Sequence, residues 1–540
     1  MRNVLPNSKT VKLNGDKSKT AMKLKSLKSL KSLKSGLSVG LEIFILGMVL
    51  GVSYVQEPLY TSNQNTKFLQ GLARAGLGYL DRDWLANTLD PLPVFTALVW
   101  FTSAFLHPHV FYLYYIILFG VYVYSLIGIA EIIFKFDTQV KKIVDLVFIV
   151  TLHCLEIRIF DFKTHVHLHY GVAEQYLLGD YFQTSNFGVL IILSIYLFLR
   201  EKRFLSVLAL AGAATVHPAY LPGAALVTLS YLIILYKKGE TFKQIFLVGL
   251  LSFLLVLPVT LYMFFVFQPT TPEVAELAKS LIVNRIPHHS FPAAWFDGVA
   301  FVQILVVAGA IYLVRKTDLF LILGVPFAVA TVATLLQLLI KNNILGFITP
   351  WRVSAFLVPL SSCMILAVFL APIFNRFPEF LQKRQKSIVF IGLIILSIYV
   401  CVGAEDQVRE LQNRPDYANL MDFVKSNRRP EDLYLVPHTS GNFIEFRLYT
   451  GVPILANYKS HPYKDIEVIE WHNRLMMAQR FYSPDFRSTR CQALEEAVKA
   501  YPINSVITEL GDTNPCPGWT LIYDDRRYKV YKPLPKNRPN

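Results

Sequence analysis

The stretch Gln244-Ile-Phe-Leu-Val-Gly-Leu-Leu-Ser-Phe-Leu-Leu-Val-Leu-Pro-Val-Thr-Leu-Tyr-Met-Phe-Phe-Val-Phe267 contains no charged residue. A helix needs about 20 consecutive apolar residues to cross the hydrocarbon core of a bilayer, and this stretch is long enough. The rest of the chain has the same character, because 53% of its 540 residues are hydrophobic and only 17% are charged. This composition excludes an ordinary soluble protein and predicts an α-helical polytopic membrane protein.

Further apolar stretches accompany this one along the chain. They lie at residues 36–55, 110–131, 143–157, 187–200, 204–217, 218–236, 298–314, 319–340, 353–373 and 387–403. Counted together, the stretches predict about eleven spans, although 187–200 and 204–217 also fit tilted or half-buried helices. The apolar stretch 94–105 is instead predicted to lie at the membrane interface. Counting it as a span would place the first basic loop outside the cytoplasm or require another crossing later in the chain.

Basic residues predict that orientation. The formal net charge is +15, and ten Lys and Arg lie within residues 1–36. With 94–105 at the interface, every strongly basic short loop lies on the same side as this tail, which the positive-inside rule assigns to the cytoplasm. Membrane orientation thus accounts for the charge, and we expect no nucleic-acid partner.

The chain is predicted to have three parts. Residues 1–36 form a basic cytoplasmic tail, 37–403 a transmembrane bundle, and 405–540 an α/β domain outside the cytoplasm. The predicted external loops of the bundle are 57–92, 158–186 and 268–297. In the last part, periodicity predicts helices at 417–427, 467–478 and 491–501 and strands at 433–437, 503–508 and 519–531. Cys491 and Cys516 share that part and can pair if its compartment is oxidising.

The first external loop carries acidic residues in the run Asp81-Arg-Asp83-Trp84 and again in Asp90-Pro91. A carboxylate at the mouth of a membrane bundle can take the proton of an attacking hydroxyl. It can also hold a divalent cation that neutralises a phosphate. The alternative interpretation is a solvated loop in which Asp81 or Asp90 caps a helix.

The second external loop contains alternating histidines, His165, His167 and His169. On a strand all three would share one face and offer a metal or phosphate site, whereas on a helix only the first and last would share one. Neutral histidines at a wet interface are the alternative. Residues of this loop predicted to bind acceptor or donor hydroxyls are Glu174, Gln175 and Asp180.

Arg352 lies in the run Thr349-Pro-Trp-Arg-Val-Ser, where an external loop enters a span. A guanidinium at such a position can bind a lipid phosphate through two hydrogen bonds. The alternative interpretation is an arginine whose side chain snorkels to the lipid headgroups and binds no substrate. His217, before Pro218, is predicted on the external side and able to face the same cavity.

Several motifs together resemble a known superfamily. The first loop contains Asn63-Gln-Asn-Thr, Gly76-Leu-Gly-Tyr-Leu-Asp-Arg-Asp-Trp84 and Asp90-Pro-Leu-Pro-Val-Phe95. The last part contains Phe446-Arg-Leu-Tyr-Thr-Gly, Asn457-Tyr-Lys-Ser-His-Pro-Tyr-Lys464, Glu470-Trp471 and Arg474. A cytoplasmic tail, one span and a large acidic external loop with such motifs resemble the GT-C superfamily of polytopic glycosyltransferases, and in particular uncharacterised bacterial GT-C-like membrane proteins.

The resemblance implies an inverting glycosyltransferase that takes its sugar from a polyprenyl-phosphate-linked donor, in the plasma (inner) membrane of a bacterium. It assigns the general base to Asp83, or to Asp81. Arg82 interrupts the adjacent acidic pair common in that superfamily, which leaves both the base and a need for a divalent cation open. Cations predicted to bind the leaving phosphate are Arg74, Arg82 and Arg352. The implied partners are the lipid-linked sugar donor and membrane lipids.

Two other classes of function fit the same composition. A transporter or flippase of lipid-linked glycans usually places charges or broken helices at mid-membrane and often has internal repeats. The sequence has neither feature, since its acids cluster in the external loops. A non-catalytic scaffold that keeps the GT-C-like fold is the remaining alternative.

Overall fold

A computed structural model of the chain describes residues 36–154, 167–340, 343–439, 441–509 and 516–534. The first half of these residues is helical. Its helices are α1 Gly36–Ser53, α2 Gln64–Lys67, α3 Leu69–Arg74, α4 Pro93–Phe105, α5 Val110–Phe134, α6 Gln139–Cys154, α7 Val189–Leu199, α8 Arg203–Val216, α9 Leu221–Lys237 and α10 Phe242–Val266. Short 3-10 turns precede several of them, including Pro218–Tyr220 before α9.

The helical part continues to residue 412. Its further helices are α11 Pro272–Arg285, α12 Pro287–Ser290, α13 Pro292–Trp295, α14 Gly298–Leu313, α15 Leu319–Ile340, α16 Asn343–Ile348, α17 Ser354–Arg376, α18 Pro378–Lys383 and α19 Gln385–Gln412. The 3-10 turn Pro350–Val353 leads into α17. Many long helices expose Leu, Ile and Phe side chains along one side, as expected of surfaces that face lipid.

Among the described residues, seven helical segments are long and apolar enough to cross a membrane. They are Gly36–Ser53, Val110–Phe134, Pro218–Lys237, Phe242–Val266, Leu319–Ile340, Ile344–Arg376 and Gln385–Gln412. Each stretch predicted as a span has a helix in the described residues, but several of these helices are shorter than a full crossing. The 13 residues of α4, at the predicted interfacial stretch, rise only about 20 Å, too little to cross the hydrocarbon core.

The last part is a small α/β domain, as predicted. It contains α20 Ala418–Asn427, α21 Phe446–Thr450, α22 Asp465–Tyr482 and α23 Arg490–Ala500, with strands β1 Tyr434–Leu435, β2 Ser505–Glu509, β3 Trp519–Asp524 and β4 Tyr528–Pro533. The sheet order is β1-β2-β4-β3; β1 runs parallel to β2, and the other pairs are antiparallel. Neighbouring residues of β2 pack on opposite faces, Val506 toward α22 and α23 and Ile507 toward α20. Cys491 and Cys516 form a disulfide in this domain.

This domain packs directly on residues 57–92 and 268–297, the loops that the sequence predicts to be external and that keep that name below. Trp471 and Leu475 of α22 form one buried apolar cluster with Ala278 and Ile282 of α11, in the third external loop. The backbone of the first external loop also touches the domain, because the N–H of Tyr79 donates to the carbonyl of Gly451 at 2.8 Å. The loops and the domain are therefore in contact, and the residues of interest lie between them.

Candidate functional site

Asp83 is fully buried between the first external loop and the C-terminal domain. Its Oδ1 accepts the backbone N–H of Leu85 at 2.9 Å. Its Oδ2 accepts the N–H of Ile454 at 3.1 Å and lies 3.2 Å from Nε of Arg447, which is also buried. Both oxygens of the Asp83 carboxylate have partners within the protein. The carboxylate therefore resembles a structural ion pair between the loop and the domain, and it is not free to act as a base on a substrate.

The nearby residues predicted for the same chemistry have other surroundings. Asp81 is exposed. The guanidinium of Arg82 donates to the carbonyl of Pro430 at 3.0 Å, and Arg74 pairs with Asp90 at 3.2 Å. Within the described residues, neither arginine contacts Arg352, so the three cations assigned to one phosphate do not form one cluster.

Arg352 instead belongs to a group of cations that come from four parts of the chain. We define the basic pocket as Lys67 at the end of α2, Arg285 at the end of α11, Arg352 before α17 and Lys459 in the C-terminal domain. Each of the four side chains is half-buried. Among the described residues, none of them has a carboxylate within the 4.0 Å of an ion pair. Half-buried charges without a counter-ion are costly unless a ligand supplies one.

The cations bind neutral groups instead. Arg352 lies 3.5 Å from Nε2 of His217, so these two predicted residues do meet. Arg285 donates to the carbonyl oxygens of Tyr458, at 2.8 Å, and of Lys459. Lys67 donates to the hydroxyl of Tyr463 at 2.5 Å. Each contact stabilises the position of a cation but leaves its charge without compensation.

Tyr463 reports the electrostatic potential of this pocket. Burial alone raises the pKa of a phenol, but Lys67, Arg285 and Arg352 together outweigh it and lower the pKa of Tyr463 below its ordinary value. The side chain of Tyr463 is exposed, with 38% of its surface accessible, and it lines a small cleft together with Lys67 and Asp90. The electrostatic potential around Tyr463 is therefore positive.

The second and third external loops meet beside the basic pocket. Nδ1 of His289 donates to the carbonyl of Ala173 at 2.7 Å, and Gln175 lies 3.0 Å from the same nitrogen. Burial lowers the pKa of His289 to about 4, with His288, Arg352 and Lys459 adding to the effect. Of the residues predicted to bind hydroxyls, Gln175 is thus buried next to the pocket, and the exposed Glu174 lies near Lys459.

Backbone strain concentrates around the same loops. Outside glycine, the left-handed conformation is uncommon, and a run of it signals a functional or strained position. Ala173 (φ 58°), Glu174 (φ 55°) and Thr349 (φ 48°) adopt it beside the basic pocket. At the start of the first external loop, Val55 (φ 60°) does so as well, and Val is a residue for which this conformation is especially unfavourable.

A second cluster lies where the first external loop begins. We define the acidic cluster as Glu57, Asp180 and Glu445. The backbone N–H of Glu57 donates to the carbonyl of Asp180 at 2.7 Å, and Glu445 accepts the hydroxyl of Thr61 at 3.0 Å. Burial raises the pKa of Glu57 and of Asp180 above their ordinary values. The predicted residue Asp180 therefore lies beside Glu57.

One segment of chain connects the two clusters. Residues 57–67 begin at Glu57 and end at Lys67. The hydroxyl of Tyr181 donates to Ser62 in this segment at 3.1 Å and lies 3.0 Å from the hydroxyl of Tyr176. Hydroxyl groups of Tyr176 and Tyr181 therefore hold the middle of the segment that runs from Glu57 to Lys67.

Of the three histidines predicted to form a metal or phosphate site, the structure describes two. His165 lies outside the described residues. His169 is buried and its Nε2 lies 3.2 Å from the hydroxyl of Tyr54, while the ring of His167 is 5.5 Å from that of His169. In the part of the chain that the structure describes, no group of three or more His, Cys, Asp or Glu side chains is placed to hold a metal ion.

Sequence reasoning did not select Glu57, Lys67, Glu445 or Tyr463 as site residues. The sequence does contain a signal for Glu57, because it is the first acidic residue after the first predicted span. The remaining three carry no local signal, because a lone lysine, glutamate or tyrosine is common in any loop. Their importance follows from contacts between the first loop and the C-terminal domain.

Comparison with known proteins adds one match. Residues 415–478 match a family model described as a domain of unknown function (DUF6798). The matched stretch includes Arg447, Lys459 and Tyr463, through which the C-terminal domain meets the first loop and the basic pocket. No curated protein matches the chain.

Proposed function

We propose that this protein is a membrane glycosyltransferase that moves a sugar from a lipid-linked phosphate donor to an acceptor at the external face. The observation that carries the proposal is the basic pocket, four half-buried cations with no carboxylate partner among the described residues. It lies where apolar helices meet polar loops, as a lipid phosphate requires. The accessible phenol of Tyr463 suits a sugar.

In this proposal Glu57 takes the role that the sequence assigned to Asp83. The acceptor hydroxyl loses its proton to the Glu57 carboxylate, its oxygen forms a bond to the anomeric carbon, and the bond from that carbon to the phosphate oxygen breaks. The electron pair leaves with the phosphate, whose charge Arg352 and Lys67 stabilise. A raised pKa suits Glu57 to this task, because a base is most effective when its pKa lies near the working pH.

The proposed topology has eleven spans, with the N-terminus in the cytoplasm and the C-terminal domain outside it, in a plasma (inner) membrane. Seven segments of suitable length, the basic loops and the disulfide Cys491–Cys516 support it, because disulfides persist in oxidising compartments. Reporter fusions at Lys237, at Arg384 and at the C-terminus test it. A cytoplasmic signal from the C-terminal fusion would overturn the orientation.

Activity is tested with purified protein in lipid nanodiscs and a panel of polyprenyl-phosphate sugars. Release of polyprenyl phosphate, followed by thin-layer chromatography, is expected to depend on Arg352. Arg352→Met is expected to reduce it about 10- to 100-fold, since a hydrogen bond to a charged group contributes about 1.5–3 kcal/mol. Arg315→Met, which changes an exposed arginine stacked on Tyr312, is the matched control. Equal release by all three proteins would refute the site.

A transporter of a lipid-linked anion remains the second candidate, and one observation favours it. Asp145 of α6 is buried inside the helical part, and among the described residues its Oδ2 has no hydrogen-bond partner. Ionisable groups buried in a membrane bundle often mark a transport path. Asp145→Asn would abolish movement of a labelled lipid phosphate across vesicles in a transporter and leave sugar transfer unchanged in a transferase.

A further inference from the structure

Helix α19 packs on the protein along one face only. Its buried residues are Gly392, Leu396 and Gly403. Gly392 lies against Ile143 of α6, and Gly403 lets the helix approach Val52 of α1 closely, because a Cβ at residue 403 would collide with the Val52 carbonyl. Helix α19 therefore lies at the rim of the bundle, with its inner face on α1 and α6.

The outer face of α19 carries small and apolar residues at alternating intervals of four and three. We define the α19 seam as these seven residues: Phe390, Ile394, Ser397, Cys401, Ala404, Val408 and Leu411. All are exposed except Ala404, which is half-buried. At 3.6 residues per turn they lie on the side of the helix opposite the buried face. Intervals of four and three, repeated over three heptads, are the pattern by which one helix packs along another.

Lipid accounts for the exposure of only the first part of the seam. Residues 387–404 contain no charge and can lie in the hydrocarbon core. Four charged residues follow within 405–410, so the apolar run ends there. Val408 and Leu411 lie among these charges, yet they are 52% and 53% exposed. One exposed apolar side chain is ordinary, but these two continue the seam beyond the part that lipid can cover.

The middle of the seam allows a second helix to approach closely. Ser397, Cys401 and Ala404 have small side chains, whereas the residues at both ends of the seam are large. A shallow groove runs along this face, and Ile394, Ser397 and Cys401 are among the residues that line it. Within a bilayer, helices associate mainly through packing, which small residues at the contact bring closer.

A second copy of this chain supplies a helix that matches the seam. Two copies have the same orientation in a membrane, so their α19 helices run parallel. A two-fold axis between them then places each seam residue opposite its own counterpart. Val408 and Leu411 of both copies meet beyond the apolar run and bury each other there, where lipid cannot. Arg409, which pairs with Glu405 of its own helix at 2.9 Å, lies off the seam and stays in water.

We propose that the α19 seam binds the α19 seam of a second copy, so that the protein is a parallel dimer in its membrane. The inference does not depend on the proposed function. Helix α19 ends at Gln412, and the C-terminal domain begins with α20 at Ala418. A dimer through α19 therefore holds the two C-terminal domains close to each other.

The test adds one cysteine at either of two neighbouring positions near the end of α19. Both variants are made in the full chain with Cys401→Ser, which removes the free cysteine of the seam. Val408→Cys lies on the seam. Arg409→Cys is the matched control, because Arg409 is the next residue, is 70% exposed and points about 100° away around the helix. Membranes are oxidised with copper phenanthroline, and covalent dimer is measured on non-reducing gels.

Val408→Cys is expected to form the covalent dimer and Arg409→Cys to form little of it, because a disulfide requires Cα atoms within about 7 Å. The Cys401→Ser protein without an added cysteine is expected to form none. Equal cross-linking of the two variants, as random collisions produce, would overturn the dimer. A Val408→Cys thiol that reacts with neither a second copy nor a soluble maleimide would also overturn it, by showing that another segment of the chain covers the seam.

Val408→Glu tests the contact without a cross-link. Self-association is measured by energy transfer between two labelled copies in phosphatidylcholine vesicles. It is expected to weaken about tenfold or more, because the buried Val side chain is lost from the contact. Arg409→Ala, at the same level of the helix, is the control and is expected to keep the dimer. An unchanged unfolding temperature shows that Val408→Glu still folds. Energy transfer that Val408→Glu leaves unchanged, or that is absent from the unmodified protein, would refute the proposal.

Discussion

Two contacts between the external loops and the C-terminal domain bury charge in opposite ways. At the first, Asp83 and Arg447 lie 3.2 Å apart and are almost completely buried. At the second, Lys67, Arg285 and Arg352 of the basic pocket have hydrogen-bond partners without charge among the described residues: a phenol, carbonyls, a threonine hydroxyl and an imidazole. A buried carboxylate and guanidinium offset part of each other's desolvation, whereas half-buried charges of one sign favour binding of a ligand of the other sign. The difference separates a structural acid from a candidate binding site.

The same contrast distinguishes the two acids of the first loop. Asp83 is fixed by backbone N–H groups and a guanidinium. Glu57 has no cation within ion-pair distance among the described residues, and burial keeps its pKa raised. Only the second environment leaves a carboxylate free to exchange a proton with a substrate.

The largest expected effect is on the rate of sugar transfer. Glu57→Gln keeps the size of the side chain but removes the base, so transfer is expected to fall about 10²- to 10⁴-fold. Steady-state rates with the active donor measure the change, while thermal unfolding is expected to stay within about 1 kcal/mol of the unmodified protein. Asp81→Asn, an exposed acid of the same loop, is the control. If Asp83→Asn removes activity in a stable protein and Glu57→Gln does not, the base assignment from the sequence stands.

The pH dependence of the rate follows from the same group. A general base must be deprotonated, so activity is full above its pKa and is lost as the pH falls through it. Since burial raises the pKa of Glu57 above its ordinary value of 4.5, the acid limb of kcat/KM is expected to lie above pH 4.5. An acid limb at or below pH 4.5 would show that a different, unburied carboxylate controls the rate.

The next largest effect is expected on stability, when the ion pair of Asp83 and Arg447 is removed. Asp83→Asn leaves Arg447 buried without its counter-ion, which is expected to destabilise the structure by about 3–5 kcal/mol. Thermal unfolding and protease sensitivity of the C-terminal domain measure it, with Asp81→Asn as the exposed control. A double-mutant cycle with Arg447→Met is expected to show strong coupling. Additive effects in that cycle would mean that the two side chains act separately.

A smaller change in stability is expected on removing the disulfide. Cys491 and Cys516 are 25 residues apart, and a cross-link of that size typically contributes about 2–4 kcal/mol. Replacing both by serine is expected to lower the unfolding temperature of the C-terminal domain without changing the rate of sugar transfer at a temperature where the domain is folded. A loss of transfer at such a temperature would link the disulfide to the site.

The smallest effect is expected at Asp90. Its Oδ1 accepts the N–H of Leu92 at 2.9 Å and the hydroxyl of Thr96 at 3.0 Å, at the start of α4, while Arg74 on its other side is half-exposed. Asp90→Asn is expected to cost about 1 kcal/mol in stability and little activity, because it weakens a helix start and an exposed pair. A large loss of activity would place Asp90 in the site.

Much of the architecture was predictable because it depends on local composition. Runs such as 244–267 contain no charged residue and form helices, in which each backbone polar group bonds within the segment. The alternating and periodic patterns of residues 417–531 correctly predicted most elements of the C-terminal domain. The helix α21 was missed, since its five residues are too few for a periodicity to show.

The candidate site was predictable only where one residue has an unusual local setting. Arg352 and His217 interrupt apolar segments, and the structure brings them within 3.5 Å of each other. The acids of the first loop have similar settings in sequence, yet Asp83 turns inward to Arg447 while Asp81 stays exposed. Whether an acid is paired depends on a residue more than 300 positions away, which no local pattern contains.

The sequence by itself therefore determined which segments are apolar, which loops are basic and where a small α/β domain follows the helical part. These properties follow from the solvation of each segment alone. Only the tertiary structure decided that Asp83 is paired with Arg447, that Glu57 is not paired in this way, and that Lys67, Arg285 and Arg352 act on Tyr463. The energy of a charge depends on the charges within a few ångströms of it, and folding alone decides which those are.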